Sequence, residues 1–196
     1  MFMDISAPEF QENLRIPIDL FVSKKRHGLI RGGASLRYAD SSGNLVYRVE
    51  RVSPKSARKR VVLDSSGNPL IYIHRNKSGS WKCYKRENSE ENDLIFRAEK
   101  TANAFNGTEF EIFSVGGNGE APKSDLKMKG SPFHRSCTVY KGESILAQTS
   151  LMYKLGIQKV LVWRHRFRLT IFPEFIDHAF IIALIAIFFD GRKLWI

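Results

Sequence analysis

The chain has 196 residues, 43% hydrophobic and 12% aromatic, enough for one large core or two small ones. Its two cysteines, Cys83 and Cys137, argue against a disulfide framework and suit a reducing compartment. A net charge of +11 and a pI of about 9.8 point to an anionic partner, whether nucleic acid, an acidic membrane or an acidic protein, with plain solubility as the alternative.

Residues 1–16 form a polar lead-in, and MFMDISAPEF lacks the basic stretch and apolar core of a secretory leader. From Pro17 onward, Ile18, Leu20 and Val22 alternate with Asp19, Phe21 and Ser23, which is the period of a strand. Lys24-Lys25-Arg26 then leads into a glycine-rich turn region around Gly28, Gly32 and Gly33.

Next comes an internal echo. Asp40-Ser41-Ser42-Gly43-Asn44 recurs as Asp64-Ser65-Ser66-Gly67-Asn68, each copy set between short apolar runs. Asp bonds the backbone two residues on and Gly permits positive φ, so each copy predicts a hairpin turn. Between the copies, Arg51-Val-Ser-Pro-Lys55-Ser-Ala-Arg58-Lys59-Arg60 carries five basic residues, the composition of a nuclear-targeting or phosphate-contacting patch and equally of an ordinary basic loop.

Further short strands are expected over 80–86, 93–100, 109–115, 125–129, 133–141 and 144–153, with loops at 87–92 and 116–122. Such a run favours a sandwich or barrel, and no linker marks a domain boundary. Over 156–172 the pattern predicts a hairpin of about 157–163 and 167–172, with Arg164-His165-Arg166 at its tip. A single strand would exceed the usual length. Both readings turn Arg164, Arg166 and Arg168 outward.

The stretch Phe175–Phe189 is the most apolar of the chain, with no polar side chain from Ala179 to Phe189. It is short for a membrane span, which takes roughly 20 residues. It lacks the polar stripe of a surface helix. The expected element is a buried helix over about 174–189, opened by Pro173 and stopped at Asp190-Gly191. A helix apolar all round needs surroundings on all sides, which strands closing into a barrel would supply.

The order of several motifs resembles the plant LURP-one-related family, which shares the tubby C-terminal-like fold with phospholipid scramblases. The resemblance covers nearly the whole chain. It rests on Pro17-Ile18-Asp19-Leu20, Asp40-x-x-Gly43-Asn44-Leu45-Val46-Tyr47, Leu63-Asp64-x-x-Gly67-x-Pro69-Leu70, Trp81 with Tyr84, and Asp93-Leu94-Ile95-Phe96. It continues through Gly130-Ser131-x-Phe133-x-Arg135-Ser136-Cys137-x-Val139-Tyr140-x-Gly142-Glu143-Ser144, Ala147-Gln148, Phe172-Pro173 and Asp177-x-Ala179-Phe180-Ile181. It implies one domain over 17–196: a mainly β fold, a closed antiparallel barrel of about twelve strands around a buried hydrophobic C-terminal helix. It also implies phosphoinositide binding through basic wall residues and a link to plant defence responses. No catalytic residues and no cofactor come with it.

The residues give no enzyme site. The histidines are scattered, no phosphate loop or nucleophile elbow occurs, and no metal set has the right spacing. Cys137, amid Arg135 and Lys141, reads as a buried small hydrophobe before it reads as a reactive thiol. Basic surface is what remains: between Lys123 and Arg168 ten basic residues stand against two acidic ones. Lys127, Lys129, Arg164, Arg166 and Arg168 are the candidates for contact with an anionic headgroup. Arg51, Lys55, Arg58, Lys59 and Arg60 are the candidates for nucleic-acid contact or nuclear targeting, and a protein scaffold without a lipid ligand is the further alternative. A cytoplasmic monomer is expected, peripheral at the plasma membrane or nuclear according to which partner the basic surface takes.

Overall fold

The computed structural model describes residues 16–25, 35–53, 56, 58–87, 91–104, 107–115, 124–132, 134–155, 160–173 and 177–190. Twelve strands occur in these segments. They are β1 (Ile18–Lys25), β2 (Ser35–Ala39), β3 (Leu45–Arg51), β4 (Lys59–Asp64), β5 (Pro69–Arg75), β6 (Trp81–Tyr84), β7 (Leu94–Ala104), β8 (Gly107–Ser114), β9 (Ser124–Ser131), β10 (Ser136–Lys141), β11 (Ser144–Leu155) and β12 (Val160–Ile171). Each pairs antiparallel with its sequence neighbours, and β1 pairs with β12, so the sheet closes on itself. An eight-stranded barrel is filled by its own side chains; twelve strands leave room for a helix about 10–12 Å across.

That helix is α1 (His178–Asp190). Asp177 caps it: Phe180 N–H donates to Asp177 Oδ1 at 3.0 Å. The helix therefore begins at 178, later than the 174 expected, because Asp177 serves as its cap and not as a residue of its first turn; residues 174–176 and Gly191 lie outside the described set. All ten residues from Phe180 to Phe189 are buried. They meet the inward rings of the strands: Phe180 against Phe96, Phe188 against Phe110 and Phe189 against Phe167, with centroids 4.5, 6.0 and 4.9 Å apart.

The period-two patterns supply the other half of this core. Ile71 and Ile73 on β5, Phe110 and Ile112 on β8, and Leu169 and Ile171 on β12 face inward, while their neighbours face out. The helix gives the barrel an upper end, where α1 begins, and a lower end, where it finishes. The β2–β3 and β4–β5 connections lie at the upper end. The β5–β6 connection, the start of β4 and the end of β7 lie at the lower end.

The repeated pentapeptide folds the same way twice. Asp40 Oδ1 accepts from Asn44 N–H and Asp64 Oδ1 from Asn68 N–H, both at 2.8 Å. Gly43 and Gly67 take φ of 86° and 93°. The Asn side-chain amide, followed by the Asn backbone N–H, holds each Asp carboxyl below its usual range. The register also slips by a residue just before each turn. A third copy had a weaker sequence signal. Asn76-Lys77-Ser78-Gly79-Ser80 joins β5 to β6 with the two backbone bonds that the other turns also make, here Gly79 N–H to Asn76 O at 3.2 Å and Asn76 N–H to Ser80 O at 2.8 Å, and Gly79 has φ 93°.

The expected hairpin within 157–172 is not formed. β12 is one strand of 12 residues. Leu151 pairs with Phe167 and Tyr153 with Val162, so residues 163–166 bulge opposite the single residue Met152 of β11. The bulge takes up the break in pattern that a hairpin tip would have explained, and the strand stays long enough to pair with β1 on its other side.

Substitutions at two positions test this architecture. Ile185 is fully buried on α1. Ile185→Val should cost about 1 kcal/mol in urea unfolding, whereas Ile185→Asp should abolish the folded near-UV circular dichroism, since a carboxylate there has no water or partner. Gly130 of β9 packs so tightly on β10 that a Cβ would lie 2.1 Å from Ser136 O. Gly130→Ala should lose about 3 kcal/mol of unfolding free energy.

Candidate anionic-ligand sites

Alternation on the strands decides which cations reach solvent. Lys127 and Lys129 both point outward on β9 and are exposed, as their spacing requires. Directly opposite on β8 stand Glu111 and Glu109. Their carboxylates lie 3.5 Å from Lys127 Nζ and 3.1 Å from Lys129 Nζ. The two lysines line a depression of about 540 Å³ with Ser124, Tyr140 and the Gly142-Glu143 turn. Their charge is thus partly neutralised from within the wall.

Arg166 and Arg168 also point outward, on β12, three strands round from β9. With strands about 4.8 Å apart, the two groups are separated by roughly 14 Å of wall. The four wall candidates with described side chains therefore form two patches. Arg168 faces Asp19 of β1, with Nη1 to Oδ2 at 3.6 Å, and Asp19 also accepts a bond from Thr170 Oγ1. Arg164 lies on the same strand; its side chain is outside the described set.

Arg166 sits in a different arrangement. The register places it beside Ser23 of β1, Ser23 beside Arg37 of β2, and Arg37 beside Arg48 of β3. Arg48 leans to Glu50 at 3.7 Å. Arg37 has no carboxylate partner among the described residues. The small side chain of Ser23 leaves a gap between Arg166 and Arg37, about 10 Å apart across two strand spacings. The resulting depression, about 470 Å³, is lined by Ser23, Lys24, Arg37, Ala39, Gly43, Leu45 and Arg166. Among the described residues that line it, three are cationic and none is acidic. Two of them, Lys24 and Arg37, were not among the sequence candidates. Arg37 stands at an outward position of the short strand Ser35–Ala39, and the period of SLRYA, with Leu36 and Tyr38 inward, is the signal that would have found it.

The basic run Arg51–Arg60 is divided by the same rule. Arg51 ends β3 and is half-buried, whereas Arg58 and Lys59 are exposed at the lower end. Lys55 lies outside the described residues. Arg60 pairs with Arg51 and Ile73 across the sheet and shares their inward face. Its guanidinium forms an ion pair with Asp190, the last residue of α1. Burial, then the charges of Arg51 and Arg75, push Arg60 down to about 10, still cationic at neutral pH. Arg60 therefore secures the helix and is withdrawn from any external contact.

Arg135 is turned in as well. It is buried, its Nη1 donates to Pro132 O at 3.2 Å, and it lies over the Phe189 ring at 5.8 Å. Both arginines complement the negative end of the helix dipole. Tyr38 Oη, fully buried, has no hydrogen-bond partner among the described residues, and burial raises its phenol pKa against the opposing charge of Arg60.

The groups that might carry chemistry are buried or dispersed. Cys83 and Cys137 are free and fully buried, and burial pushes both thiols up, away from the reactive thiolate. Among the described residues, no group of three or more His, Cys, Asp or Glu side chains is placed to hold a metal ion. No helix of the described residues is long and apolar enough to cross a membrane.

A closed antiparallel barrel threaded by an apolar helix, with its cations on the wall and rims, defines a class of protein as well as a shape. The sequence profile of the LURP-one-related proteins matches residues 18–190, and the chain belongs to that family. Among its relatives, LURP-one-related 7 of Arabidopsis thaliana is 43% identical over 184 residues, covering 94% of this chain and 95% of that protein. LURP-one-related 15 of the same plant is 30% identical over 181 residues, covering 90% of this chain and 81% of that protein. A solved X-ray structure of an Arabidopsis thaliana protein superposes with a TM-score of 0.62 at 26% identity, covering 89% of this chain and 91% of that one.

The Arg60–Asp190 pair is the feature of this region most open to measurement. Arg60→Met leaves a carboxylate buried without its partner and should cost about 3 kcal/mol in chemical denaturation. Asp190→Asn should be destabilising in the same sense. The double variant should be less damaged than the two single losses added together, and strict additivity would show that the two groups do not interact.

Proposed function

We propose that this LURP-one-related barrel is a non-enzymatic module that docks on anionic phospholipid, with phosphoinositide headgroups as its ligands, and that it acts in plant defence signalling. The observation that carries the reading is the wall depression between β12, β1 and β2, which Lys24, Arg37 and Arg166 line together with Ser23, Ala39, Gly43 and Leu45. A phosphorylated headgroup brings several acceptor oxygens, and guanidinium groups match them with paired donors. Cations near a membrane surface contribute about 1 kcal/mol each toward anionic lipid. The Lys127–Lys129 patch supports the same chemistry more weakly, since Glu109 and Glu111 compete for its charge. The defence setting is the one that the family resemblance implies.

Co-sedimentation with phosphatidylcholine vesicles, with and without added phosphoinositide, tests this. Wild-type protein should pellet with the phosphoinositide vesicles alone. Arg37→Ala with Arg166→Ala should weaken that binding roughly tenfold or more, and Lys127→Ala with Lys129→Ala should weaken it less. Equal and negligible binding to both vesicle types would sink the lipid reading.

A further inference from the structure

The lower end of the barrel has a charge pattern that the wall depression does not use. Arg58 and Lys59 come from the β3–β4 connection and the start of β4. Arg75 and Lys77 come from the end of β5 and its turn, and Lys100 from β7. All five are exposed. They follow one another round the rim, because β4, β5, β6 and β7 are consecutive in the sheet. Among the described residues, no ion pair joins Arg58, Lys59, Arg75 or Lys77 to a carboxylate.

The acidic groups nearest this rim are already engaged: Glu50 with Arg48, Glu99 with Arg97, Glu109 with Lys129 and Asp190 with Arg60. The turns show the same polarity. At the upper end the repeated pentapeptide opens on Asp40 and Asp64, whereas the lower-end copy opens on neutral Asn76 and carries Lys77. Beside this arc lies a recess of about 640 Å³ lined by Arg75, Ser78, Trp81, Lys100 and Thr108 together with Glu99, whose carboxylate is held by Arg97 at 3.0 Å.

We infer that the lower rim is a second binding surface, separate from the wall depression, and that it takes an acidic, extended peptide segment of a partner protein. One acidic side chain of the segment enters the recess between Arg75 and Lys100. Flanking acidic residues meet Arg58, Lys59 and Lys77. The shape selects among anionic partners. A bilayer is flat and leaves a recess of this size unfilled. Single-stranded nucleic acid needs an open aromatic face for its bases, and Trp81 is 2% exposed with Arg75 lying over its ring at 5.3 Å. An extended peptide offers side chains alternately to the two sides of its backbone, so one can descend while its neighbours stay at the rim.

The test is fluorescence anisotropy of the full-length protein with a fluorescein-labelled peptide of alternating Glu and Ser. Two variants of equal charge change are compared: Arg58→Glu/Lys59→Glu/Lys77→Glu on the rim, and Arg37→Glu/Arg166→Glu/Lys127→Glu on the wall. The rim variant should bind the peptide about tenfold more weakly than wild type, while sedimenting with anionic vesicles as wild type does. The wall variant should retain peptide binding. If the rim triple variant does not fold, Lys77→Glu alone, on an exposed turn, should weaken binding in the same direction. Equal loss in both triple variants would show a non-specific charge effect and overturn the assignment. So would failure of wild type to bind the peptide at low salt, or tighter rim-dependent binding of a labelled DNA strand than of the peptide.

Discussion

The structure depends on a helix that has no side fit for water. From Phe180 to Phe189 every residue is buried, and a helix of this kind is stable only when enclosed all round. A flat sheet would cover one side and a two-layer sandwich would leave flanks open. Closure of the sheet meets the requirement and removes the free edges that an open sheet would expose. The long strands β7, β11 and β12, the bulges that bend them, and the inward rings of Phe96, Phe110 and Phe167 all serve this enclosure. Burial of each large side chain contributes roughly 1.5–3 kcal/mol at most, so the helix and the inward strand faces together dominate the core.

Enclosure fixes the ends of the helix as well. Asp177 satisfies a backbone N–H at its start. At its finish, Arg60 turns inward from β4 and Arg135 from the turn between β9 and β10. Inward charge is costly unless paired, and Asp190 and the Phe189 ring provide the pairing. The same chain thus places arginine in two settings, inside as a clasp on the helix and outside on the wall, facing solvent. For the arginines on strands, the parity of the residue within its strand decides which.

That parity explains how much was legible in the sequence. The barrel's inward faces, the outward lysines of β9 and the two identical turns follow from local patterns of period two and from the chemistry of Asp, Gly and Asn. The helix was legible because its apolar run is continuous. The third turn was less so, since Asn76 and Ser80 replace the Asp and Asn of the other copies. β12 is less legible because Arg164-His165-Arg166 has the composition of a turn, and only the register of the flanking residues against β11 shows that it is a bulge. The site was harder still. Cross-strand neighbours are far apart in sequence: Lys127 meets Glu111, Arg166 lines up with Arg37, and Arg60 reaches Asp190. Counting basic residues along the chain cannot reveal which of them a carboxylate on the next strand already holds.

The closing seam carries one more consequence, for the order of events in folding. Asp19 of β1 bonds Thr170 of β12 across 151 positions, and the helix that fills the barrel follows β12. A chain emerging from the ribosome can form its hairpins one by one, each with an apolar face that has nothing to cover it. Neither the seam nor the core is available until almost all of this sequence has been made. Contacts so distant in sequence are slow to form, and the open sheet waiting for them exposes both edges and its inner face, the condition in which strands pair with the wrong chain. A barrel with no edges in its finished state is therefore most vulnerable to association before it closes.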